Sequence, residues 1–283
     1  MITHQNNEPR PPSRVVVLGA GGFIGSAIFK QLKALEVPIV VPSSSELNLI
    51  NPAAGDKLAS WLTPSDAVVM LAALTPDKGR DIATFMKNLA MMQNVCTALE
   101  KSGCVHFVYF SSDAVYDTAI SCVNEDTSAS PQDLYGIMHY AREIMARSLK
   151  TAVLILRPTL VYGLGDTHNS YGPNRFRRMA EKDNEITLFG EGEDMRDHIH
   201  VNDVAAIAVR CLFQKSVGTL NVATGVSKSF FEVAEIVAKQ FQNRTKVITT
   251  PRINPITQRH YNVTSLIKAF PDFQFTLLED SIV

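Results

Sequence analysis

The sequence predicts an α/β fold of the doubly wound, Rossmann type, in which helices cover both faces of a mostly parallel sheet and a smaller carboxyl-terminal lobe follows. Two observations predict this fold. Short β-rich runs alternate with segments of helical periodicity, as in βαβ units. Each run is apolar throughout rather than at every second position, which is typical of strands covered on both faces.

The alternating segments can be assigned in chain order. The predicted strands cover 14–19, 37–41, 66–73, 105–112 and 152–158. The predicted helices between them cover 22–35, 51–62, 79–101 and 135–150. Connections of this kind between parallel strands are nearly always right-handed.

The organisation changes after Pro158, where the chain becomes rich in glycine, asparagine and arginine before helical patterns return near 202–213 and 229–241. The predicted division of the chain is a disordered polar arm over 1–13, a Rossmann lobe over 14–157 and a second lobe over 158–283. Some segments of the second lobe are expected to return to the first. The final segment, rich in proline and phenylalanine, is expected to pack on the second lobe.

Composition excludes several classes of protein. The formal net charge of -1 gives no electrostatic reason to expect nucleic acid or a membrane as a partner. No stretch approaches the roughly 18 apolar residues of a membrane helix, and the amino-terminal segment lacks the apolar core of a secretory signal. The four cysteines form no C-x-x-C pair, so neither a zinc site nor a disulfide framework is predicted. We therefore predict a cytoplasmic protein without a metal.

The first strand and helix are joined by a glycine-rich turn, VVVLGAGGFIGSAIFKQL. At such a junction one glycine allows a tight turn, a second lets backbone N–H groups approach a pyrophosphate, and a third lets the helix pack closely on the strand. The amino-terminal end of the helix then faces the negative charge. The spacing G-x-x-G-x-x-G, with further βα units after it, predicts a bound dinucleotide. The predicted contacts are Gly19, Gly22, Phe23, Ile24 and Gly25.

The end of the second strand bears on which dinucleotide is bound. An acidic residue at this point normally bonds the ribose 2′-hydroxyl of NAD, but VPIVVPSSSEL offers Ser43 and Ser44 there and Glu46 only later. No arginine stands there to bind a 2′-phosphate. Serines accommodate a phosphate without charge repulsion, so the sequence favours NADP over NAD, with Ser43 and Ser44 as contacts. A simple turn without a role in cofactor selection is the alternative.

Several motifs occur together along the chain: GAGGFIG, DAVVMLAA, NLAMMQNV, FSSDAVYD, LYGIMH, LRPTLVYG and FGEGEDMRDHIHVNDV. In order and interval they resemble the extended short-chain dehydrogenase/reductase family over about residues 14 to 240. The members of that family are NAD(P)-dependent enzymes that epimerise, dehydrate or reduce nucleotide sugars. The resemblance implies an NAD(P)-dependent enzyme, with Ala72 and Ala73 lining the cofactor.

The resemblance also implies the reacting groups. Ser112 matches the hydroxyl residue that hydrogen-bonds a substrate oxygen, and Tyr135 matches the catalytic acid/base, which is implied as a cofactor contact as well. Hydride transfer at carbon has to be accompanied by proton transfer at oxygen, which a positioned phenol supplies. Asp113 is implied as a substrate contact, and Ala114 stands where sugar 4,6-dehydratases carry glutamate, which argues against that elimination. The alternatives are a strand-capping serine, a turn aspartate and a core tyrosine.

His139 departs from the family, because it occupies the place of the lysine in Tyr-x-x-x-Lys. In the family this lysine bonds the nicotinamide ribose, and its charge favours the phenolate. A unit charge about 5 Å away, at an effective dielectric near 20, is worth roughly 3 kcal/mol, whereas histidine is mostly neutral at pH 7. The change disfavours oxidation, which needs tyrosine as a base, more than reduction. We expect His139 to keep the ribose contact; a degenerate site without turnover is the alternative.

The resemblance implies that arginines of the second lobe bind substrate. Arg196, in MRDHIHV, matches the family arginine that grips the diphosphate of a nucleotide sugar, a role that suits a planar guanidinium. Arg175, in the polar loop DTHNSYGPNRFRR, is the candidate for a second phosphate or hydroxyl contact, with a solvated loop as the alternative. Leu160 replaces the asparagine of many relatives, so their sugar-binding geometry does not carry over. His198 and His200 lack a third ligand for a metal.

The function predicted from these motifs is an NAD(P)-dependent oxidoreductase or epimerase acting on a nucleotide sugar or a related polar carbonyl or hydroxyl compound. A non-catalytic dinucleotide sensor or scaffold is the first alternative, because one fold serves many functions. An ordinary dehydrogenase of a non-sugar metabolite is the second. Family members commonly dimerise through the tyrosine helix and its neighbour, and the apolar faces of 82–99 and 137–149 allow a homodimer.

Overall fold

The structure is a computed structural model that describes residues 2–166, 168–241 and 244–282. Its strands are β1 (Ile2–His4), β2 (Arg14–Leu18), β3 (Ile39–Val40), β4 (Asp66–Met70), β5 (His106–Phe110), β6 (Cys122–Val123), β7 (Ala152–Pro158), β8 (Leu160–Tyr162), β9 (Glu185–Phe189), β10 (Met195–His200), β11 (Ser216–Val222), β12 (Ser227–Ser229), β13 (Lys246–Thr250) and β14 (His260–Tyr261). Its helices are α1 (Phe23–Ala34), α2 (Ala54–Trp61), α3 (Ile82–Ser102), α4 (Leu134–Arg147), α5 (Pro173–Asp183), α6 (Val201–Phe213), α7 (Phe230–Gln240) and α8 (Thr264–Ala269).

A seven-stranded sheet forms the centre of the molecule, with the spatial order β1, β11, β7, β5, β4, β2, β3. Neighbouring strands run parallel except β1, which is antiparallel to β11. The apolar runs of the sequence serve both faces: Val15 and Val17 pack with α1 and α6, whereas Val16 and Leu18 pack with α2 and α3. The predicted doubly wound fold is confirmed.

The described part of the amino-terminal segment is held against the central sheet from Ile2 to Arg10, so the prediction of a disordered arm over residues 1–13 is wrong for these residues. Ile2–His4 pairs with Ser216–Gly218 at the edge of the central sheet. The side chain of Asn6 donates a hydrogen bond to the carbonyl of Phe213 at 2.7 Å, and the backbone N–H of Arg10 donates to the same carbonyl at 2.9 Å. The segment thereby covers a sheet edge whose backbone groups would otherwise be unpaired. Its polar composition gives no sign of this distant partner.

The second lobe contains three small sheets, which join β12 to β10 and β8, β13 to β9, and β14 to β6. Its β11 returns to the central sheet beside β7, and α6 packs on α1. The final segment divides between the lobes: Phe270 and Phe273 join the core of the first, whereas Leu278 and Ile282 join that of the second. The expectation that this segment packs on the second lobe therefore holds only for its end.

Two further findings concern the described part of the chain. Cys96, Cys104, Cys122 and Cys211 are free thiols. A search of the helices found none with the length and apolar character needed to cross a bilayer.

Candidate active site

The turn between β2 and α1 requires glycine at two positions. Gly19 has a φ of +99°, and a Cβ there would lie 2.8 Å from the backbone nitrogen of Ala72. A Cβ on Gly25 would lie 2.2 Å from the carbonyl oxygen of Gly19, because α1 packs directly against the turn. Both distances are far shorter than van der Waals contact, so a side chain at either position would displace α1 or the loop after β4.

The amino-terminal end of α1 is open to an anion. Its N-cap is Gly22, which has no side chain to cap the first N–H groups, and the first turn carries no acidic residue. Gly21 and Gly22 are exposed, and a Cβ on Gly21 would meet no heavy atom within 4 Å. The helix end therefore presents its partial positive charge and N–H groups to open space at the carboxyl edge of the sheet. This cradle fits the pyrophosphate of a dinucleotide.

The loop after β4 lies beside the glycine turn. The backbone N–H of Ala72 donates to the carbonyl of Leu18 at 3.0 Å, which holds Ala72 and Ala73 next to the end of β2. Asn88 of α3 holds the loop from the other side. Its side chain accepts from the Leu74 N–H at 2.8 Å and donates to the Leu74 carbonyl at 2.9 Å. The predicted contacts Ala72 and Ala73 thus share one edge of the sheet with the glycine turn.

A hollow of about 390 Å³ opens at the end of β3 and is lined in part by Glu46. The carboxylate of Glu46 accepts hydrogen bonds from the backbone N–H and the hydroxyl of Ser43, at 2.9 and 2.7 Å. These bonds lower the pKa of Glu46, so it is charged at neutral pH. A negative charge therefore stands among the serines predicted to contact the cofactor, Ser43 and Ser44.

Ser112 and Tyr135 come together because α4 packs on the turn after β5. The hydroxyl of Ser112 caps this turn by accepting from the Ala114 N–H at 3.2 Å. A Cβ on Gly136 would lie 2.2 Å from the carbonyl oxygen of Ala114, so only glycine lets the first turn of α4 approach this closely. Asp133 caps α4 by accepting from the Gly136 N–H at 2.8 Å. These contacts fix the phenol-bearing turn against the serine.

Tyr135 is protonated at neutral pH. Burial raises its pKa to about 12, and the charge of Asp113 acts in the same direction. A hydrogen bond with Ser112 and the positive charge of Arg142 act in the opposite direction. A cavity of about 300 Å³ opens beside the ring of Tyr135, between the first turns of α3 and α4.

His139 lies one turn after Tyr135 and is buried at 3% exposure. Its ring stands edge-on to that of Tyr135, with 4.7 Å between centroids, and its Nδ1 lies 2.8 Å from the hydroxyl of Tyr109. Burial, with the charge of Arg142 acting in the same direction, lowers the pKa of His139 to about 3, so the ring is neutral. Its Nε2 is buried and has no hydrogen-bond partner among the described residues. This atom is open to a bound ligand.

Sequence reasoning missed Arg142, which lies on α4 and is fully buried. Its Nε and Nη2 donate to the carbonyl of Asn88 at 2.9 and 2.5 Å, and its Nη1 donates to the carbonyl of Ala72 at 3.0 Å. The guanidinium therefore joins α4 to the cofactor-side loop and to α3. The signal in the sequence was weak, because arginine three residues after His139 also fits an exposed helix face.

A second missed group surrounds Asp113. The hydroxyl of Tyr261 donates to Oδ2 of Asp113 at 2.7 Å, and Nη2 of Arg259 donates to the carbonyl of Asp117 at 2.7 Å. Burial raises the pKa of Asp113, while Tyr261, Arg259 and Arg196 lower it. Nη1 of Arg259 is buried and has no partner in the parts of the chain that the structure describes. Pairing of β14 with β6 brings these residues in, and no local motif indicates it.

The predicted arginines of the second lobe occupy different places. Arg196 stands close enough to Asp113 for its charge to lower the pKa of that carboxyl, and its Nη2 donates to Oγ1 of Thr257 at 2.5 Å. Arg175 lies over the ring of Tyr171, 5.8 Å from its centroid. The structure therefore groups Arg196, but not Arg175, with the residues around Asp113.

The two histidines of β10 have structural contacts. His198 packs edge-on against the ring of Phe230, with 5.8 Å between centroids, and His200 caps α6 by accepting from the Asn202 N–H at 3.3 Å. Within the described ranges, no three His, Cys, Asp or Glu side chains are grouped so as to hold a metal ion.

An anion cradle after the first strand, with a serine and a tyrosine beside it at the carboxyl edge of a parallel sheet, defines a class of nicotinamide-dependent enzymes. The family model "NAD dependent epimerase/dehydratase family" matches residues 15–223. The chain belongs to that family of NAD(P)-dependent, nucleotide-sugar-modifying enzymes, and the resemblance stated from the motifs is confirmed.

Characterised relatives are similar along most of their length. The GDP-6-deoxy-D-talose 4-dehydrogenase of Aggregatibacter actinomycetemcomitans is 24% identical over 266 residues, which cover 90% of this chain and 87% of the relative. The dTDP-4-dehydro-6-deoxy-D-allose reductase of Streptomyces bikiniensis is 28% identical over 262 residues, 79% of each chain.

Solved structures share the fold. A GDP-L-fucose synthetase from Naegleria fowleri superposes with a TM-score of 0.86 at 17% identity, covering 98% of this chain and 94% of that one. RMD from Pseudomonas aeruginosa, described as complexed with NADPH, has a TM-score of 0.80 at 24% identity, covering 95% of this chain and 96% of its own. At these identities the likeness establishes the fold alone.

Proposed function

We propose that this protein is an oxidoreductase or epimerase that transfers hydride between NAD(P) and a nucleotide sugar, with Tyr135 as the acid/base. The observation that carries the proposal is the close packing of the first turn of α4 on the turn after β5, which places Tyr135 near enough to Ser112 for Ser112 to lower its pKa, at the sheet edge that also carries the glycine cradle. Both known nucleotide-sugar enzymes compared above act at a sugar carbonyl or hydroxyl according to their names, which supports the same substrate class here.

Each residue has a task in this proposal. A bound dinucleotide supplies or accepts the hydride. Ser112 donates a hydrogen bond to the reacting oxygen of the sugar and polarises it, and Tyr135 exchanges a proton with that oxygen. His139 donates from Nε2 to a ribose hydroxyl, since this buried nitrogen has no partner among the residues that the structure describes. Phe23, Ile24 and Gly25 turn backbone N–H groups toward the pyrophosphate, and Gly22, whose own N–H donates to the Gly19 carbonyl, lets it approach the backbone.

The residues around Asp113 are proposed to bind the substrate. Arg196 and Arg259 bring two guanidinium groups to the surroundings of Asp113, and Nη1 of Arg259 has no hydrogen-bond partner within the described ranges. Two such groups suit a diphosphate, which offers several acceptor oxygens. Asp113, held by Tyr261, contributes an acceptor for a sugar hydroxyl. Arg175 keeps its proposed role as an outer phosphate or hydroxyl contact.

Reduction of a carbonyl is the favoured direction at neutral pH. A phenol whose pKa is raised to about 12 already carries the proton that a reduction consumes. The reverse reaction needs the phenolate, whose population rises tenfold with each pH unit below that pKa. We therefore expect the rate of oxidation to increase with pH over a wider range than the rate of reduction. Initial rates of both reactions, measured at a series of pH values, test this.

The experiment that tests the function follows the absorbance of NADPH and NADH in the presence of a panel of GDP-, dTDP- and UDP-linked 4-keto sugars. We expect consumption of the reduced cofactor with at least one member, and a higher KM for that substrate in Arg259→Met. Arg10→Met, at an exposed arginine with no proposed role in binding, is the control and should leave that KM within about twofold. Oxidation of cofactor by free sugars alone, without any effect of the nucleotide, would contradict the proposed substrate class.

A non-catalytic sensor is the second candidate, and the neutral ring at position 139 is the observation that favours it. Such a protein would bind the dinucleotide as the enzyme does. It would show no turnover with any member of the panel, and Tyr135→Phe would leave its ligand affinities unchanged.

The choice of cofactor is expected to depend on Glu46. The serine turn favours NADP, but the carboxylate of Glu46 accepts a hydrogen bond from Ser43, and its negative charge at this place repels a 2′-phosphate. Glu46→Gln should therefore strengthen NADPH binding about threefold to tenfold and leave NADH binding nearly unchanged, as expected for one partly screened charge. Fluorescence titration with both dinucleotides measures this, with the exposed Glu100→Gln on α3 as control. Equal effects on the binding of NADH and NADPH would show that Glu46 does not discriminate between the two cofactors.

A homodimer and a cytoplasmic location stay proposals. Ile82 and Met86 on α3 and Ile137 and Ile144 on α4 are exposed apolar side chains on neighbouring helices, which suits burial against a second copy. Light scattering of the purified protein decides between a monomer and a dimer.

A further inference from the structure

Helix α4 holds a buried cation that has no carboxylate partner among the described residues. Arg142 is fully buried, and its hydrogen bonds go to neutral oxygens of Asn88 and Ala72. The neighbouring carboxylate, Glu143, pairs with Arg157 instead. Removing a guanidinium from water without a counter-charge costs several kcal/mol. A neutral amide would satisfy such carbonyls at lower cost, so hydrogen bonding alone does not account for arginine here.

The groups on which this charge acts are Brønsted acids. Burial raises the pKa of both Tyr109 and Tyr135, and Arg142 lowers both, because its charge favours their anionic forms. The thiol of Cys96 is affected in the same direction. Only Tyr135 among the three borders the cavity between α3 and α4. Asn88, whose carbonyl accepts from Arg142, lines the same cavity, so the cation lies directly behind a wall that Tyr135 shares.

Tyr109 connects the cation to His139. The charge of the guanidinium lowers the pKa of Tyr109, and the Tyr109 hydroxyl lies 2.8 Å from Nδ1 of His139. Burial raises the pKa of this phenol, so at neutral pH it carries the proton that it can donate to Nδ1. In this arrangement His139 carries its own proton on Nε2, the buried atom without a partner in the described chain. One phenol therefore stands between the cation and the histidine nitrogen that is open to a ligand.

We propose that Arg142 is a positioning residue that supplies, one turn further along α4, the positive charge that histidine does not carry at position 139, and thereby favours the phenolate of Tyr135. This inference rests on the proposed acid/base role of Tyr135. A lysine at position 139 would place a second like charge in the same low-dielectric region as Arg142. The neutral histidine at 139 and the charged arginine at 142 therefore belong together: the positive charge that the family carries at the position of His139 is carried here at position 142.

Other groups also face the phenol. Asp113 and Asp133 oppose its ionisation, Ser112 favours it through a hydrogen bond, and the neutral ring of His139 stands edge-on to it. Arg80 and Asp81 line the same cavity and carry opposite charges. A substitution confined to position 142 leaves all of these groups in place, so its effect on the phenol isolates one charge.

The test replaces Tyr135 with 3,5-difluorotyrosine, whose phenol is intrinsically more acidic, and titrates it by fluorine NMR in the full chain. Arg142→Met and Arg142→Gln remove the charge, and Gln keeps a donor for Asn88. We expect the pKa of the fluorinated phenol to rise by at least about one unit in both, and to stay within about half a unit of the parent in Arg142→Lys. The readout needs neither substrate nor turnover, so it is independent of whether the proposed reaction is correct.

An unchanged phenol pKa in a folded Arg142→Met or Arg142→Gln variant would overturn the proposal. If neither neutral variant folds, the proposal is tested with the double variant His139→Lys, Arg142→Met, which places the positive charge at position 139 and removes it from position 142. We expect this double variant to return the phenol pKa to within about half a unit of the parent, and to melt at a higher temperature than His139→Lys alone. A phenol pKa more than about one unit above the parent, or the opposite order of melting temperatures, counts against the proposal.

Discussion

Tyr135→Phe is expected to lower kcat about 10²–10⁴-fold on the sugar substrate, because it removes the group that exchanges a proton with the reacting oxygen. Tyr135 lines the cavity between α3 and α4, and its ring stands edge-on to that of His139. Ser112 lies near enough to lower the pKa of its phenol. Phenylalanine keeps the ring and its packing. Steady-state kinetics on the first active member of the nucleotide-sugar panel measure the change.

The matched control is Tyr140→Phe, which removes a hydroxyl from the same helix at a side chain that packs against the cluster of Val115 and Tyr116. We expect this variant to retain kcat within about threefold, because the hydroxyl that it removes is not proposed to contact the reacting atoms. NADPH affinity should be nearly the same in both variants, since neither phenol holds the pyrophosphate. An unchanged kcat in Tyr135→Phe would contradict the proposed role of Tyr135 as the acid/base.

Arg157→Met is expected to lower the free energy of unfolding by about 3–5 kcal/mol, because it leaves the buried carboxylate of Glu143 without its partner. Arg157 donates to both oxygens of Glu143, at 2.8 and 2.5 Å, and both side chains are almost fully buried. The hydroxyl of Ser111 donates to the same carboxylate at 2.6 Å. This network anchors α4 to β5 and β7 directly behind Ser112. Urea denaturation followed by circular dichroism measures the loss.

Arg147→Met provides the comparison, because Arg147 contacts the same carboxylate at 3.3 Å from an exposed position, with a side chain that is 48% exposed. Exposed ion pairs contribute about 0–1 kcal/mol, so this variant should be far milder. If the two variants destabilised the protein equally, the buried pair would not be the anchor that the geometry indicates.

The sequence was sufficient for the parts of the fold and site that depend on local pattern. Apolar runs and helical periodicity predicted the strands and helices of the first lobe within a few residues. The glycine spacing predicted a close turn, and Gly19 and Gly25 have no room for a Cβ. Ser112 and Tyr135 were predicted as neighbours from family motifs, since each motif lies on a separate βα unit whose geometry the fold determines.

Features that depend on distant pairing were not predictable in this way. Ile2–His4 covers the edge of β11, although its polar sequence resembles a disordered arm. Tyr261 and Arg259 reach Asp113 because β14 pairs with β6, and two-residue strands leave no periodic pattern. Arg142 was missed for a different reason: a charged residue on an amphipathic helix is usually exposed, and only the packed structure shows it buried.

The amino-terminal end of α1 is proposed to hold a nicotinamide dinucleotide beside Tyr135, and calorimetric titration with NADH and NADPH tests this without a substrate. We expect saturable heat with at least one dinucleotide for the parent protein. We expect loss of that heat in Gly22→Asp, where a carboxylate occupies the anion cradle at a position whose φ of -81° accepts any residue and where aspartate is a favourable N-cap. Folded parent protein that binds neither dinucleotide, or a folded Gly22→Asp variant that binds as tightly as the parent, would contradict this role of α1.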